Sequence, residues 1–164
     1  MVIDLEPIFN NEGARLPFAF EQDLSDLEFL AERPFTEPVH VNGEVINQTG
    51  IVKLSIRAEL SASLPCDRCA SDLRFEDNVE TEHILVTQLN DETNDDFYLL
   101  DSLRLDLSPL VHEDIVLSLP GKVLCSPDCR GLCTACGANL NTGQCSCKKP
   151  TDPRLEALQQ LLDN

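Results

Sequence analysis

The chain has no tryptophan, one tyrosine and seven phenylalanines, so any core must be filled by leucine, isoleucine and valine. No apolar run approaches the roughly 20 residues of a membrane-spanning helix. The first thirteen residues, Met1 to Gly13, hold no basic residue and no long apolar stretch, so no secretory signal is expected there. The expected compartment is therefore the cytoplasm, where thiols stay reduced. Catalytic grammar is also missing. There is no phosphate-cradling glycine-rich loop and no serine on a nucleophile elbow. His40, His83 and His112 are scattered, and His112-Glu113 lacks the second histidine of a zinc-protease motif. Asp95-Asp96 lies in a polar stretch where solvation accounts for it. Nothing here predicts an enzyme.

Positive charge is scarce as well. Twelve Lys and Arg face 29 Asp and Glu, a net charge of −17. The imbalance is uneven: residues 1–120 hold 7 bases and 25 acids, and residues 121–164 hold 5 and 4. Such an acidic body repels nucleic acid and attracts basic proteins, or simply keeps the chain soluble. Only the tail, with Lys122, Arg130, Lys148 and Lys149, is suited to approach phosphate.

What the chain does have is enough apolar residue, 42% of 164, to rule out global disorder and build one domain or one domain with a small appendage. Val2 to Phe9 alternates in part and predicts a strand before a turn at Asn10 to Gly13. Residues 14–38, punctuated by Pro17, Pro34 and Pro38, predict a connector with a short strand around Leu16 to Phe20. From Val39 the β signal is clear. Val39 to Ile46 and Ile51 to Leu60 flank the turn Asn47-Gln48-Thr49-Gly50, and the second run alternates along most of its length. Leu73 to Val86 predicts another strand, leaving Cys66 to Cys69 in the loop between two strands. Residues 88–97 read as an acidic loop. Ser108 and Pro109 predict a helix start, with the helix ending at Pro120-Gly121. Thr151 or Asp152, with Pro153, predicts a second helix carrying Leu155, Leu158, Leu161 and Leu162 on one stripe. The expected fold class is α+β: an antiparallel sheet core, a few short helices and a cysteine-rich tail. The expected divisions are an acidic body at 1–120 carrying the Cys66/Cys69 knuckle, a metal segment at 121–150 and an amphipathic helix at 151–164.

Eight cysteines in a reducing compartment point to metal rather than disulfides. They are Cys66 and Cys69, then Cys125, Cys129, Cys133, Cys136, Cys145 and Cys147. Two pairs have CxxC spacing, at 66/69 and 133/136. That spacing puts two sulfurs on one side of a tight loop, as a tetrahedral zinc ion needs. Gly137 suits the turn, since the backbone rounding a metal often needs positive φ. Eight sulfurs divide into two tetrathiolate sites. The expected partition is local, 133/136/145/147 in one site and 66/69/125/129 in the other; a rival joins the two CxxC pairs as a zinc ribbon does, and one site with spare thiols is a third arrangement. A redox pair would want a helix after the CxxC, and neither pair has one. Cys129-x3-Cys133-x2-Cys136 matches the spacing of radical-SAM iron–sulfur enzymes. The long repeated βα pattern of that barrel is missing, and Ala135 stands where that motif usually has an aromatic. An all-cysteine ligand set with no open position implies structural zinc.

Leu64-Pro65-Cys66-Asp67-Arg68-Cys69, the run from Cys125 through Cys129, Cys133 and Cys136 to Asn141, Cys145-x-Cys147 and Asp152-Pro153-Arg154 together resemble the bacterial YceD family. Asp23-Leu24-Ser25 and Val41-x-Gly43 extend the likeness towards the N-terminus. The resemblance implies a role in accumulation of large-subunit ribosomal RNA. It implies a ribosomal protein, the rRNA precursor or both as partner, no membrane and no small-molecule substrate, and it supplies no catalytic residue. The expected function is a non-catalytic zinc-binding factor in ribosome biogenesis, with Lys122, Arg130, Lys148 and Lys149 as phosphate contacts. The alternative expectation is a redox- or zinc-responsive regulator, from eight thiols on a small chain. No aromatic stacking platform accompanies the tail, so specific single-strand RNA recognition is not expected.

Overall fold

A computed structural model describes residues 1–88 and 97–147. Residues 89–96 of the expected acidic loop, Lys148, Lys149 and the expected helix at 151–164 lie outside the described residues. The chain divides into two compact units. The first is Met1–Leu64 with Arg74–Gly121. The second is Pro65–Leu73 together with the chain from Lys122 onward.

The first unit is built on a sheet of five strands in the order β2-β3-β4-β5-β6. These are β2 (Arg15–Gln22), β3 (Val39–Gln48), β4 (Ile51–Pro65), β5 (Asp72–Val86) and β6 (Phe97–Leu99). β2 pairs with β3, and β3 with β4, antiparallel. β6 pairs parallel with β5, Ile84 opposite Phe97. The fold class is the one expected, a largely antiparallel sheet with short helices, β6 being the added parallel strand. Thr49 and Gly50 form the two-residue loop joining β3 to β4, with φ of 50° and 84°. Both positive values make it the type I′ turn whose twist suits a hairpin. Pro17 lies within β2, opposite Glu44, which an edge strand tolerates because one side of its backbone needs no ladder partner.

Alternation decides which face is buried. Val52, Leu54, Ile56, Ala58, Leu60, Ala62 and Leu64 of β4 point inward, and the intervening residues point out. The inward face packs against α2 (Leu107–Ser118), whose Leu107, Leu110, Val111, Asp114 and Ile115 fall on one stripe at helical spacing. β1 (Val2–Asp4) and β7 (Arg104–Asp106) form a small antiparallel pair beside it. Among the described residues no helix is long and apolar enough to cross a membrane.

Three local expectations change. Val2 to Phe9 is not one strand: β1 ends at Asp4 and α1 (Glu6–Phe9) follows. Pro7 starts that turn of helix, and the Asp4 carboxylate accepts from the Glu6 N–H at 3.0 Å. The N-cap of α2 is Asp106, not Ser108: its carboxylate accepts from the Ser108 N–H at 3.1 Å. An acid two residues earlier is the better cap because it meets the free amides with a full charge. The connector expected at 14–38 contains the eight-residue strand β2, longer than the proline spacing suggested.

Of the three histidines, His40 and His112 are exposed, on β3 and α2. His83 is not a loose surface residue. Its Nε2 lies 2.9 Å from the buried Asp114 carboxylate, which also accepts from the Thr81 hydroxyl at 2.6 Å.

Candidate metal centre

All eight cysteines belong to the second unit. Cys66 and Cys69 enter it on the loop between β4 and β5, and the other six follow α2. The sulfurs form two groups, Cys66/Cys69/Cys125/Cys129 and Cys133/Cys136/Cys145/Cys147, each with all its sulfurs within 4.8 Å of one another. The structure thus brings them together in the local partition and does not join 66/69 to 133/136.

The two CxxC knuckles share one backbone design. The Cys66 N–H donates to the Ser71 carbonyl at 2.9 Å and the Ala70 N–H to the Cys66 carbonyl at 2.8 Å. In the second knuckle the Cys133 N–H donates to Ala138 and the Gly137 N–H to Cys133, both at 2.8 Å. The residue after the second cysteine carries positive φ in each, 52° at Ala70 and 73° at Gly137. Gly137 adopts the positive φ predicted for it, and an alanine takes the same conformation in its counterpart.

The spacing fits a tetrahedral ion. Metal–sulfur bonds of about 2.3 Å place neighbouring sulfurs about 3.8 Å apart. Cys66 and Cys129 sulfurs are 3.8 Å apart, and those of Cys69 and Cys125 are 3.6 Å apart. No disulfide forms among the eight.

Electrostatics within each group point the same way. The Cys66 thiol is pulled down to about 6, first by the Cys125 N–H and then by the amides of its own knuckle, against its burial. Cys133 is likewise lowered to about 6 by the Ala135 and Cys136 amides. Cys125 is pushed up to about 12 by neighbouring Cys129 and Cys69, and Cys147 to about 12 by Cys136. One sulfur of each group is thus ready to ionise, and another resists because thiolates already surround it. A bound dication removes that repulsion, and four thiolates then become compatible.

The groups differ in exposure. In the first, Cys66, Cys69 and Cys129 are buried and Cys125 is exposed; in the second, Cys136 and Cys147 are exposed and Cys133 and Cys145 half-buried. The residues inside the first knuckle hold the first group together. Asp67 exchanges two hydrogen bonds with the Val123 backbone, each 2.8 Å. The Arg68 guanidinium donates to the carbonyls of Pro127 and Cys129 at 3.2 and 2.9 Å. Sequence reasoning missed both residues. Their signal was available: an acid and a base inside a CxxC offer one acceptor and one fork of donors to a facing backbone. Among the expected phosphate contacts, Lys122 and Arg130 are exposed on this unit.

A small largely antiparallel β-protein bearing two tetracysteine groups able to hold metal ions is the class these features define. Residues 54–162, well over half of the chain, match the family model described as large ribosomal RNA subunit accumulation protein YceD. The chain belongs to the YceD family. It is similar to the uncharacterized protein YlbN of Bacillus subtilis strain 168, at 27% identity over 128 residues, 76% of this chain and 74% of that one. It is also similar to the large ribosomal RNA subunit accumulation protein YCED homolog 1, chloroplastic, of Zea mays. That match is 30% identical over 154 residues, covering 74% of this chain and 52% of the maize protein, so it spans about half of the latter. No solved structure matches the chain.

Proposed function

We propose that this protein is a non-catalytic zinc-binding factor of large-subunit ribosome biogenesis, acting in the cytoplasm by binding a ribosomal protein, the rRNA precursor or both. The observation that carries the reading is the pair of closed four-sulfur groups inside the segment matched by the rRNA-accumulation family. Four sulfurs per ion leave no coordination position open for substrate, so zinc here holds shape. The expected ligands are Cys66, Cys69, Cys125 and Cys129 in one site, and Cys133, Cys136, Cys145 and Cys147 in the other. Zinc, as a dication, supplies the charge that four thiolates require.

Residues 1–120 then offer the acidic surface and 121–150 the basic one. Ion pairs support that assignment. Arg15, Arg33, Lys53, Arg57 and Arg74 each lie within 4.0 Å of a glutamate, so bases of the acidic part are engaged internally. Such exposed pairs stabilise by at most about 1 kcal/mol each and leave the acidic excess facing solvent. Lys122, Arg130, Lys148 and Lys149 remain the phosphate contacts of this reading.

Two measurements test it. Zinc and iron per chain, measured after purification without added metal, should show two zinc ions and no iron. In cell extract the protein should co-sediment with large-subunit precursor particles at low salt. A protein lacking both metals, or confined to the free fraction at every salt concentration, overturns the reading. Exposed Cys136 and Cys147 favour the second reading, a redox- or zinc-responsive regulator. Its signature is loss of zinc and of partner binding together under mild oxidation.

A further inference from the structure

The eight-residue link between Cys136 and Cys145 belongs by sequence to the second cysteine group, yet its side chains serve the first. The Asn141 amide donates from Nδ2 to the Cys129 sulfur at 3.2 Å. Its Oδ1 accepts from the Arg130 N–H at 2.8 Å. Asn139 Nδ2 donates to the Ser71 hydroxyl at 3.3 Å, and that hydroxyl lies 3.3 Å from the Cys69 sulfur. The two asparagines are locked to each other, Asn139 Oδ1 accepting from the Asn141 N–H at 2.9 Å.

The backbone adds a second connection. The Leu140 N–H donates to the Gly131 carbonyl at 2.9 Å, and the Leu132 N–H to the Arg68 carbonyl at 3.0 Å. Residues 130–132 therefore lie between the first knuckle and the loop. The approach is tight: a Cβ on Gly131, whose φ is +74°, would stand 2.9 Å from the Arg68 carbonyl oxygen. Both connections lie within the second unit.

We propose that the two sites take up metal cooperatively, with Asn141 and Asn139 as the positioning residues that couple them. This rests on the reading of both groups as metal sites. A metal on Cys133, Cys136, Cys145 and Cys147 clamps both ends of the loop. The clamped loop holds the Asn141 amide on Cys129 and the Asn139 amide on Ser71, where N–H and O–H dipoles stabilise thiolate charge. Donors outside the ligand shell change metal affinity about 10- to 100-fold when removed. By linkage, filling the first site must strengthen the second by the same factor.

Cobalt(II) tests this, because tetrathiolate cobalt has charge-transfer and d–d absorption bands that count occupied sites. Added to the metal-free full-length chain, it should give two ions per chain. At one equivalent, native mass spectrometry should find mainly empty and doubly loaded chains. Asn141→Ala should weaken the first site about tenfold or more. Asn141→Asp decides whether the residue acts on the sulfur. It keeps the acceptor for the Arg130 N–H but sets an anion against the thiolate, so it should bind at least as weakly as Asn141→Ala. Native-like affinity in Asn141→Asp, or a statistical share of singly loaded chains, overturns the coupling while the two-site reading stands. Absence of any tetrathiolate cobalt band overturns both.

Discussion

At the scale of single residues, the two knuckles perform one task with different side chains. Ala70 and Gly137 occupy equivalent positions, each with a positive φ. An L-residue in that region costs about 1–2 kcal/mol. Gly137→Ala should therefore lower thermal stability by that order, and Ala70→Gly should leave it unchanged or raise it; calorimetry of the two variants checks both signs. Thiol ionisation sets a second expectation. Cys66 and Cys133 sit at about 6, below the ordinary thiol value of 9.0, so both are thiolates at neutral pH and thiols in acid. Protons compete with metal for the sulfurs of each group, so affinity should fall as pH drops, most steeply below about 6. Equilibrium dialysis between pH 5 and 8 measures it, and a flat profile would contradict thiolate ligation.

At the scale of elements, the one buried carboxylate among the described residues reveals a joint. Asp114 lies on the apolar stripe of α2 and is 7% exposed, but Thr81 and His83 of β5 both reach its Oδ2. The pair pins the helix to the sheet by hydrogen bonds amid leucine and valine contacts. Asp114→Ala should destabilise the chain by about 1–3 kcal/mol, because it strands two partly buried groups without an acceptor. Urea unfolding of the variant gives the value, and an unchanged midpoint would mean water replaces the carboxylate.

The hairpin around Thr49-Gly50 and the strand alternation of β4 were legible because both are local patterns with a period of two. The buried pairing of His83 with Asp114 was not, since the partners are separated by 31 residues and meet only when α2 lies on the sheet. β6 escaped for another reason. Its three residues are too few to carry a periodicity, and its parallel pairing with β5 is a tertiary choice.

At the scale of the whole molecule, the two units draw on different sources of stability. The first has an apolar core of aliphatic side chains. Among the described residues the second has a small buried cluster of Cys66, Cys69 and Cys129 with Leu73 and Leu124 against it, too little apolar surface to stand on burial alone. Removing metal with a chelator should therefore unfold the second unit and spare the first. Hydrogen exchange should show fast amides at 122–147 and retained protection in β3 and β4. Loss of protection throughout would mean that the units unfold as one.

The sequence by itself determined the acidic character, the β hairpin, the count of eight thiols and the knuckle turns, because each depends on composition or on residues a few positions apart. The family resemblance was legible for the same reason: it rests on contiguous cysteine spacing. Only the tertiary structure decided which sulfurs meet. Cys66 and Cys125 are far apart in the chain, and spacing alone allowed three arrangements. The clasp of Asp67 on Val123 and of Arg68 on Cys129 selects one of them, since those hydrogen bonds form only when the distant tail lies against the first knuckle.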